Sequence, residues 1–281
     1  MTLTRTPVGL VNSFLLYSTP LVWVEGPDDV VPVETIVDGI PCTVKSAGGI
    51  PNCMYLIEAL KAADLPYAVL VDGEFNVLRK TRSPHRRGVT LLRHSVENYY
   101  ADIWVSTRVC RRIEGSKVDE QQACSGVEAL LTAFEKATQR LVTLDVAGWI
   151  AGDDRSFFPD RAEPILAQGQ PVCDTNRVAV HEGQAGTATL AKESVAANLL
   201  LGQRIAHSMR GHVLFGFLRA AVSQVLDTCG SKLSCNNAAL RAIFAEACWR
   251  TPPPSAKEHR SIKSRLRRAA REAGKVRQKF A

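Results

Sequence analysis

Two apolar runs in this chain end in acid. Leu21 to Val24 runs into Glu25, and Gly26, Pro27, Asp28 and Asp29 follow; Tyr67 to Val71 runs into Asp72, with Glu74 two residues on. Carboxylates gathered at one place repel one another unless a cation joins them, and a hard divalent ion with oxygen ligands does that. Such an ion can orient a phosphate, activate water and stabilise a leaving oxygen. Glu25 could instead serve as a general base or acid on a phosphodiester. The competing reading is structural. A single acid after a strand commonly closes a turn, and Asp28 and Asp29 behind Pro27 have the place of first-turn residues facing a helix dipole. Two acid-bearing strand ends in one unit tilt the balance toward a metal site.

The elements that must carry these acids can be traced along the chain. Residues 20–26 and 66–75 read as continuous apolar strands, and 33–49 as a helix or short strand followed by a strand ending at Gly48-Gly49. Residues 51–65 have helical spacing of Met54, Ile57, Leu60 and Leu65, with Pro51 suited to the first turn. A short strand opens 88–102, with a helix starting at Ser95. Alternating strands and helices with runs apolar throughout predict a mostly parallel sheet covered on both faces. In such sheets functional groups gather at the carboxyl ends of the strands, where Glu25 and Asp72 fall. Beyond 110 the expectation is helical: 119–144, 188–209, 212–228 and 234–249, with 145–190 irregular. The proline break at 250–255 precedes a basic, proline-free and helical tail. The domains expected are an α/β domain over 1–110, a mainly helical region over 111–254 and a basic tail over 255–281.

The charge is uneven. The chain of 281 residues carries +7, but residues 255–281 hold ten Lys or Arg and two Glu, a local +8 that leaves the rest at −1. Such a tail can bind a polyanion or dock on an acidic partner surface. A second basic run, Arg79, Lys80, Arg82, His85, Arg86 and Arg87, follows the Asp72 strand end; it could grip a nucleic-acid backbone, or simply lie in water. His94 could contact phosphate or move a proton, or cap a turn. Arg210 and His212, around Gly211, open a helix whose N-terminus could bind an anion, or form an ordinary loop. The eight cysteines contain no CxxC pair and read as free thiols. No GxSxG, GxxxxGK[ST] or GxGxxG is present, so serine-hydrolase, P-loop and Rossmann readings fail. With no apolar run of membrane length and no signal-peptide order at the N-terminus, a cytoplasmic protein is expected.

Three motifs in order resemble those of the DUF4435 Toprim-like nuclease family. "VEGPDD" is similar to the first Toprim motif, E-G-x-x-D; "VDGEF" to the second, D-x-D; and "LLRHSVENYY" to the S-[IV]-E-N-Y stretch of DUF4435. The likeness covers about 20–105 and continues more loosely to "MRGHVLFGFL". The plan resembles the DUF4435 nuclease that partners an ABC-type ATPase in the PARIS anti-phage system. That resemblance implies a bacterial Toprim fold and a nuclease using Mg²⁺ or Mn²⁺. It implies an ABC-type ATPase that holds the nuclease inactive and a phage-encoded trigger that releases it. It also implies an RNA substrate, with tRNA foremost, and a homodimer as one form of the free protein. Carried over residue by residue, Glu25 matches the catalytic Glu, Asp72 the first acid of D-x-D and Asp29 the acid of E-G-x-x-D. Glu74 stands where the pattern has Asp, which lengthens a ligand arm, and Glu97 matches the Glu of S-V-E-N-Y as a further acid or supporting residue. Two alternatives stay open: a Toprim fold that no longer cleaves and acts by interaction, and a DNA nuclease of OLD-like type.

Overall fold

The computed structural model describes residues 6–81, 83–115, 118–153, 155–168 and 170–280. In chain order its elements begin with α1 (Pro7–Asn12), β1 (Leu21–Val24), α2 (Val30–Val37), β2 (Thr43–Ser46), α3 (Ile50–Ala62), β3 (Tyr67–Val71) and β4 (Gly88–Thr90). Then come α4 (Ile103–Glu114), α5 (Glu120–Ala151), α6 (Thr175–Glu182), α7 (Thr187–Leu190), α8 (Glu193–Leu200), α9 (Gly211–Thr228), α10 (Asn237–Trp249) and α11 (Lys257–Arg277). The chain forms two compact units. One consists of the chain up to Gly73, Lys80–Leu92 and everything from Cys248 onward; the other consists of Glu74–Arg79 and Arg93–Ala247.

The first unit is α/β, as the alternating pattern predicts. Its four strands pair in the order β2-β1-β3-β4, all parallel. β1 and β3 are buried at every position because both sheet faces are covered. On one face Leu21, Trp23, Tyr67, Val69 and Val71 join Cys53, Leu56, Ile57 and Leu60 of α3 and Leu10 of α1 in one apolar cluster. The other face is covered by α11, which packs against β1, β3, β4 and α2.

Here the structure departs from the expected domain plan. Residues 257–277 are the predicted helix, but not a tail apart from the body. Ile262, Leu266, Ala269, Ala270, Ala273 and Val276 recur every three or four residues and are buried. Small alanines at half of these positions leave a weak apolar signal in a segment dominated by charge. Lys263 donates to the carbonyls of Trp249 (2.6 Å) and Arg250 (2.8 Å), capping the end of α10. Residues 93–110, expected in the α/β domain, belong to the second unit.

The second unit is helical and centred on α5, against which α4, α6, α7, α8 and α9 all pack. Asp119 starts α5 by accepting from the Gln122 N–H (2.7 Å), and Gly152, at φ 72°, ends it in the left-handed conformation. Phe134 of α5 stacks on Phe217 of α9 with ring centres 4.0 Å apart. The helix expected over 119–144 runs on to Ala151, whereas that over 188–209 divides into α7, α8 and a 3-10 turn at Ile205–His207, with Gly202 at φ 76° between the last two. No helix among the described residues is long and apolar enough to cross a membrane.

Candidate active site

In the α/β unit the sheet order contains a switch point. The chain passes from β1 to β2 on one side and then returns to place β3 on the other, so β1 and β3 are neighbours at the point where the winding reverses. Ligands of open parallel sheets bind outside the carboxyl ends of the strands at that point. Glu25 follows the last residue of β1, and Asp72 follows the last residue of β3.

Glu25 is held there by its backbone. Its carbonyl accepts from the Gly48 N–H (3.1 Å), the Gly49 N–H (3.0 Å) and the Ser46 hydroxyl (3.1 Å). The turn that delivers both N–H groups needs φ 83° at Gly48 and 115° at Gly49, a conformation open to glycine at little cost. Asp29 is buried and its Oδ2 accepts from the Gly26 N–H at 2.8 Å, while its own N–H donates back to the Gly26 carbonyl. The E-G-x-x-D spacing therefore closes a turn directly behind Glu25, and one oxygen of the Asp29 carboxylate, expected as a metal ligand, is committed to that turn. Asp28 is exposed.

Cys53, two residues into α3 beyond Pro51, reports on the acids around it. Burial first, then Glu25, Asp72 and Asp29 in that order, push its thiol far up and keep it protonated. Three acids from two strand ends and the following turn thus act on one buried thiol. Spacing along the chain gives no hint of this residue.

Glu74 belongs to the other unit. The expectation that it follows Asp72 in extended chain does not hold. Glu74 has φ 43°, an uncommon value for a residue with a Cβ, and opens the 3-10 helix Glu74–Arg79. Its N–H donates to the His94 carbonyl at 2.8 Å. Burial raises its carboxyl pKa, and Arg210 opposes the shift. His94 is pushed down to about 4 by burial first and by Arg210 second, so its imidazole is neutral near pH 7. Phe75 packs edge-on against the His94 ring at 5.0 Å and tilts against Trp149 at 5.9 Å, and the Arg79 guanidinium lies 4.3 Å from the Trp149 ring centre. Arg210 pairs with the buried Asp145 at 3.5 Å. Asp145 also accepts from the Phe157 N–H (2.6 Å) and the Ser156 hydroxyl. The helical unit therefore gathers an acid, a neutral imidazole and a guanidinium.

The depressed His94 pKa carries a sign that can be checked. Unfolded, this imidazole takes a proton below about pH 6.5; folded, it does so only near pH 4. Its contribution is complete above 6.5 and is lost as pH falls toward 4. Urea unfolding at pH 7 and pH 5 should show the wild type losing about 1–2 kcal/mol more than His94→Gln. Equal losses in the two proteins would refute the assignment.

The S-V-E-N-Y stretch is a clasp. Glu97 is buried; its Oε1 accepts from Arg241 at 2.7 Å and its Oε2 from the Ser95 hydroxyl at 3.0 Å. Asn98 accepts from the Ser95 N–H and donates to the carbonyls of Ala206 and Met209. Gly211 must be glycine, because an added Cβ would meet the Ser95 hydroxyl and stand 2.5 Å from Glu97 Oε2. Glu97 is thus a buried ion-pair partner holding this segment to α9 and α10, not a further acid open to a ligand. His212 is exposed, with Nδ1 3.4 Å from Arg241. Arg241 lies 144 residues beyond Glu97, and no motif or spacing marks it as the partner.

The basic run divides. Arg79 and Lys80 are exposed, and Lys80 has φ 54°. Arg86 is exposed and pairs with Glu272 at 3.3 Å. Arg87, expected to contact nucleic acid, is instead 1% exposed; it donates to the Leu65 carbonyl and to Asp64 at 2.7 Å. A guanidinium used this way anchors the loop and offers nothing to a phosphate. Arg82 lies outside the described residues.

Among the described residues no three His, Cys, Asp or Glu side chains form a metal-ligating cluster. Mg²⁺, however, is commonly held by one or two carboxylates together with waters and substrate phosphates. Glu25 and Asp72, hard oxygen donors at neighbouring strand ends, fit that requirement. No family model matches the chain, and no curated protein matches it. What the fold and site define is an all-parallel α/β unit with acids at its switch point, joined in one chain to a helical unit.

Proposed function

We propose that the protein is a Mg²⁺-dependent phosphodiesterase, an endonuclease with RNA as its preferred substrate. The observation that supports this reading best is the position of Glu25 and Asp72 at the carboxyl ends of β1 and β3, on either side of the switch point. These two carboxylates would hold the ion, and the Gly48-Gly49 turn and the Asp29 latch fix the backbone of Glu25. When bound, Mg²⁺ supplies charge neutralisation at the phosphodiester and an acidified water. RNA rather than DNA, tRNA in particular, an ABC-type ATPase that restrains the enzyme and a phage-encoded trigger rest on the motif resemblance alone.

The test is cleavage of tRNA and of duplex DNA by the purified protein, with Mg²⁺ and with EDTA. The expected result is discrete RNA ends that form only with the metal, a loss on metal removal of about 10³-fold or more. DNA cleavage alone would move the substrate to the OLD-like class. Equal cleavage in EDTA, or none of either substrate, would overturn the proposal.

A second reading has one observation in its favour. Glu74 leaves the extended conformation that D-x-D geometry needs, and the residue is Glu rather than Asp. A Toprim-like protein that acts by interaction would bind Mg²⁺ weakly, and titration calorimetry of the Glu25 site distinguishes the two.

A further inference from the structure

The outward face of α11 is a row of cations that the fold does not use. Lys263, Arg265 and Arg267 are fastened to backbone carbonyls, Arg265 to Thr90 and Arg267 to Ile36 and Asp38. Lys257, Arg260, Arg268, Arg271 and Lys275 are all exposed, and the side chain of none of the five makes a hydrogen bond or ion pair among the described residues. At 3.6 residues per turn their side chains fall within an arc of roughly 80°, and at 1.5 Å per residue the row is about 27 Å long. Ser264, also exposed, fills the gap between Arg260 and Arg268. The one acid of the helix's second half, Glu272, is taken by Arg86.

We infer that this stripe docks the phosphodiester backbone of a nucleic acid, without reading its sequence. Three features select that ligand. Five like charges in one row about 27 Å long, with no acid among them, match a polymer whose backbone carries a continuous run of like charge, whereas an acidic protein surface would have to place its acids to order. A lipid surface is disfavoured, because amphipathic helices enter it through their apolar face, and that of α11 is buried on the sheet. No exposed residue of α11 is apolar. The side chains stand free in solvent, so they lose little in moving from water to phosphate. The inference does not depend on whether the acids of this unit cleave.

The test is binding of a labelled RNA hairpin and of duplex DNA of equal length to the full chain. EDTA is present throughout, and salt is varied from 50 to 200 mM. The variant carries Arg260→Gln, Arg268→Gln, Arg271→Gln and Lys275→Gln, at sites where no fold contact is lost. Each phosphate contact contributes about 0.9 to the slope of log affinity against log salt on duplex DNA, so the variant's slope should be shallower by about 3 to 4. A variant with Arg260→Lys, Arg268→Lys and Arg271→Lys keeps the charge and should keep the slope. Tighter binding of RNA or of DNA identifies the source of the backbone. A glutamine variant with the wild-type affinity and slope would overturn the inference. So would a wild type that binds neither nucleic acid but retains polyglutamate, which points to an acidic protein.

Discussion

Glu25→Gln is expected to abolish phosphodiester cleavage, lowering the single-turnover rate by at least about 10³-fold while leaving the chain folded. The substitution keeps the size of the side chain. It leaves intact the three hydrogen bonds that position the residue, because these fall on the Glu25 carbonyl. It also removes one of the negative charges that raise the Cys53 thiol, a group already neutral at pH 7, so thermal stability should hold. Asp72→Asn should have a similar effect on rate. The double variant should be little worse than either alone, since residues that act as one unit are not additive. A Glu25→Gln protein cutting within tenfold of wild type would remove Glu25 from the chemistry. Rate lost together with the folded baseline would mean that the carboxylate serves the fold.

Arg241→Ala is expected to give the largest loss of stability. The Glu97 side chain is 4% exposed and its main ionic partner is the Arg241 guanidinium at 2.7 Å, which also lies 4.2 Å from the Phe215 ring centre. Removing one member of a buried pair leaves the other desolvated and costs about 3–5 kcal/mol. In a chain of this size each kcal/mol shifts Tm by roughly 2–4 °C, so a fall on the order of 10 °C should be seen by calorimetry. Adding Glu97→Gln removes the stranded charge and should recover part of the loss. A single-variant loss below about 1 kcal/mol, or a double variant less stable than the single, would contradict the pairing.

These two effects lie on opposite sides of what the sequence shows. Glu25 and Asp72 could be found by reading, because each follows a short apolar run that could hardly be anything but a buried strand. The same reading found α3 and α9 within a few residues of their ends. It failed where a residue's role depends on a partner remote along the chain. Arg87 looked like its basic neighbours, yet Asp64 and the Leu65 carbonyl, 23 and 22 residues earlier, draw it inside. The motif resemblance left Glu97 as a further acid or a supporting residue, and its ion pair with Arg241, 144 residues later, could not be read from either segment. Glu74 followed Asp72 by two, but its positive φ ends the strand alternation on which that spacing argument relied.

The sequence by itself determined the α/β class, the parallel sheet and the acids at two strand ends, because burial on both faces leaves a local mark in continuous apolar runs. Tertiary structure alone decided that β1 and β3 are neighbours, that the C-terminal helix covers the second face of the sheet, and which charges meet. Strand order and charge pairing are set by contacts between segments tens to hundreds of residues apart, and such contacts leave no periodicity in either segment. In α11 both kinds of information are superposed. Its charge was plain from composition, but only packing against the sheet separated the three cations fastened to backbone carbonyls from the five that face outward.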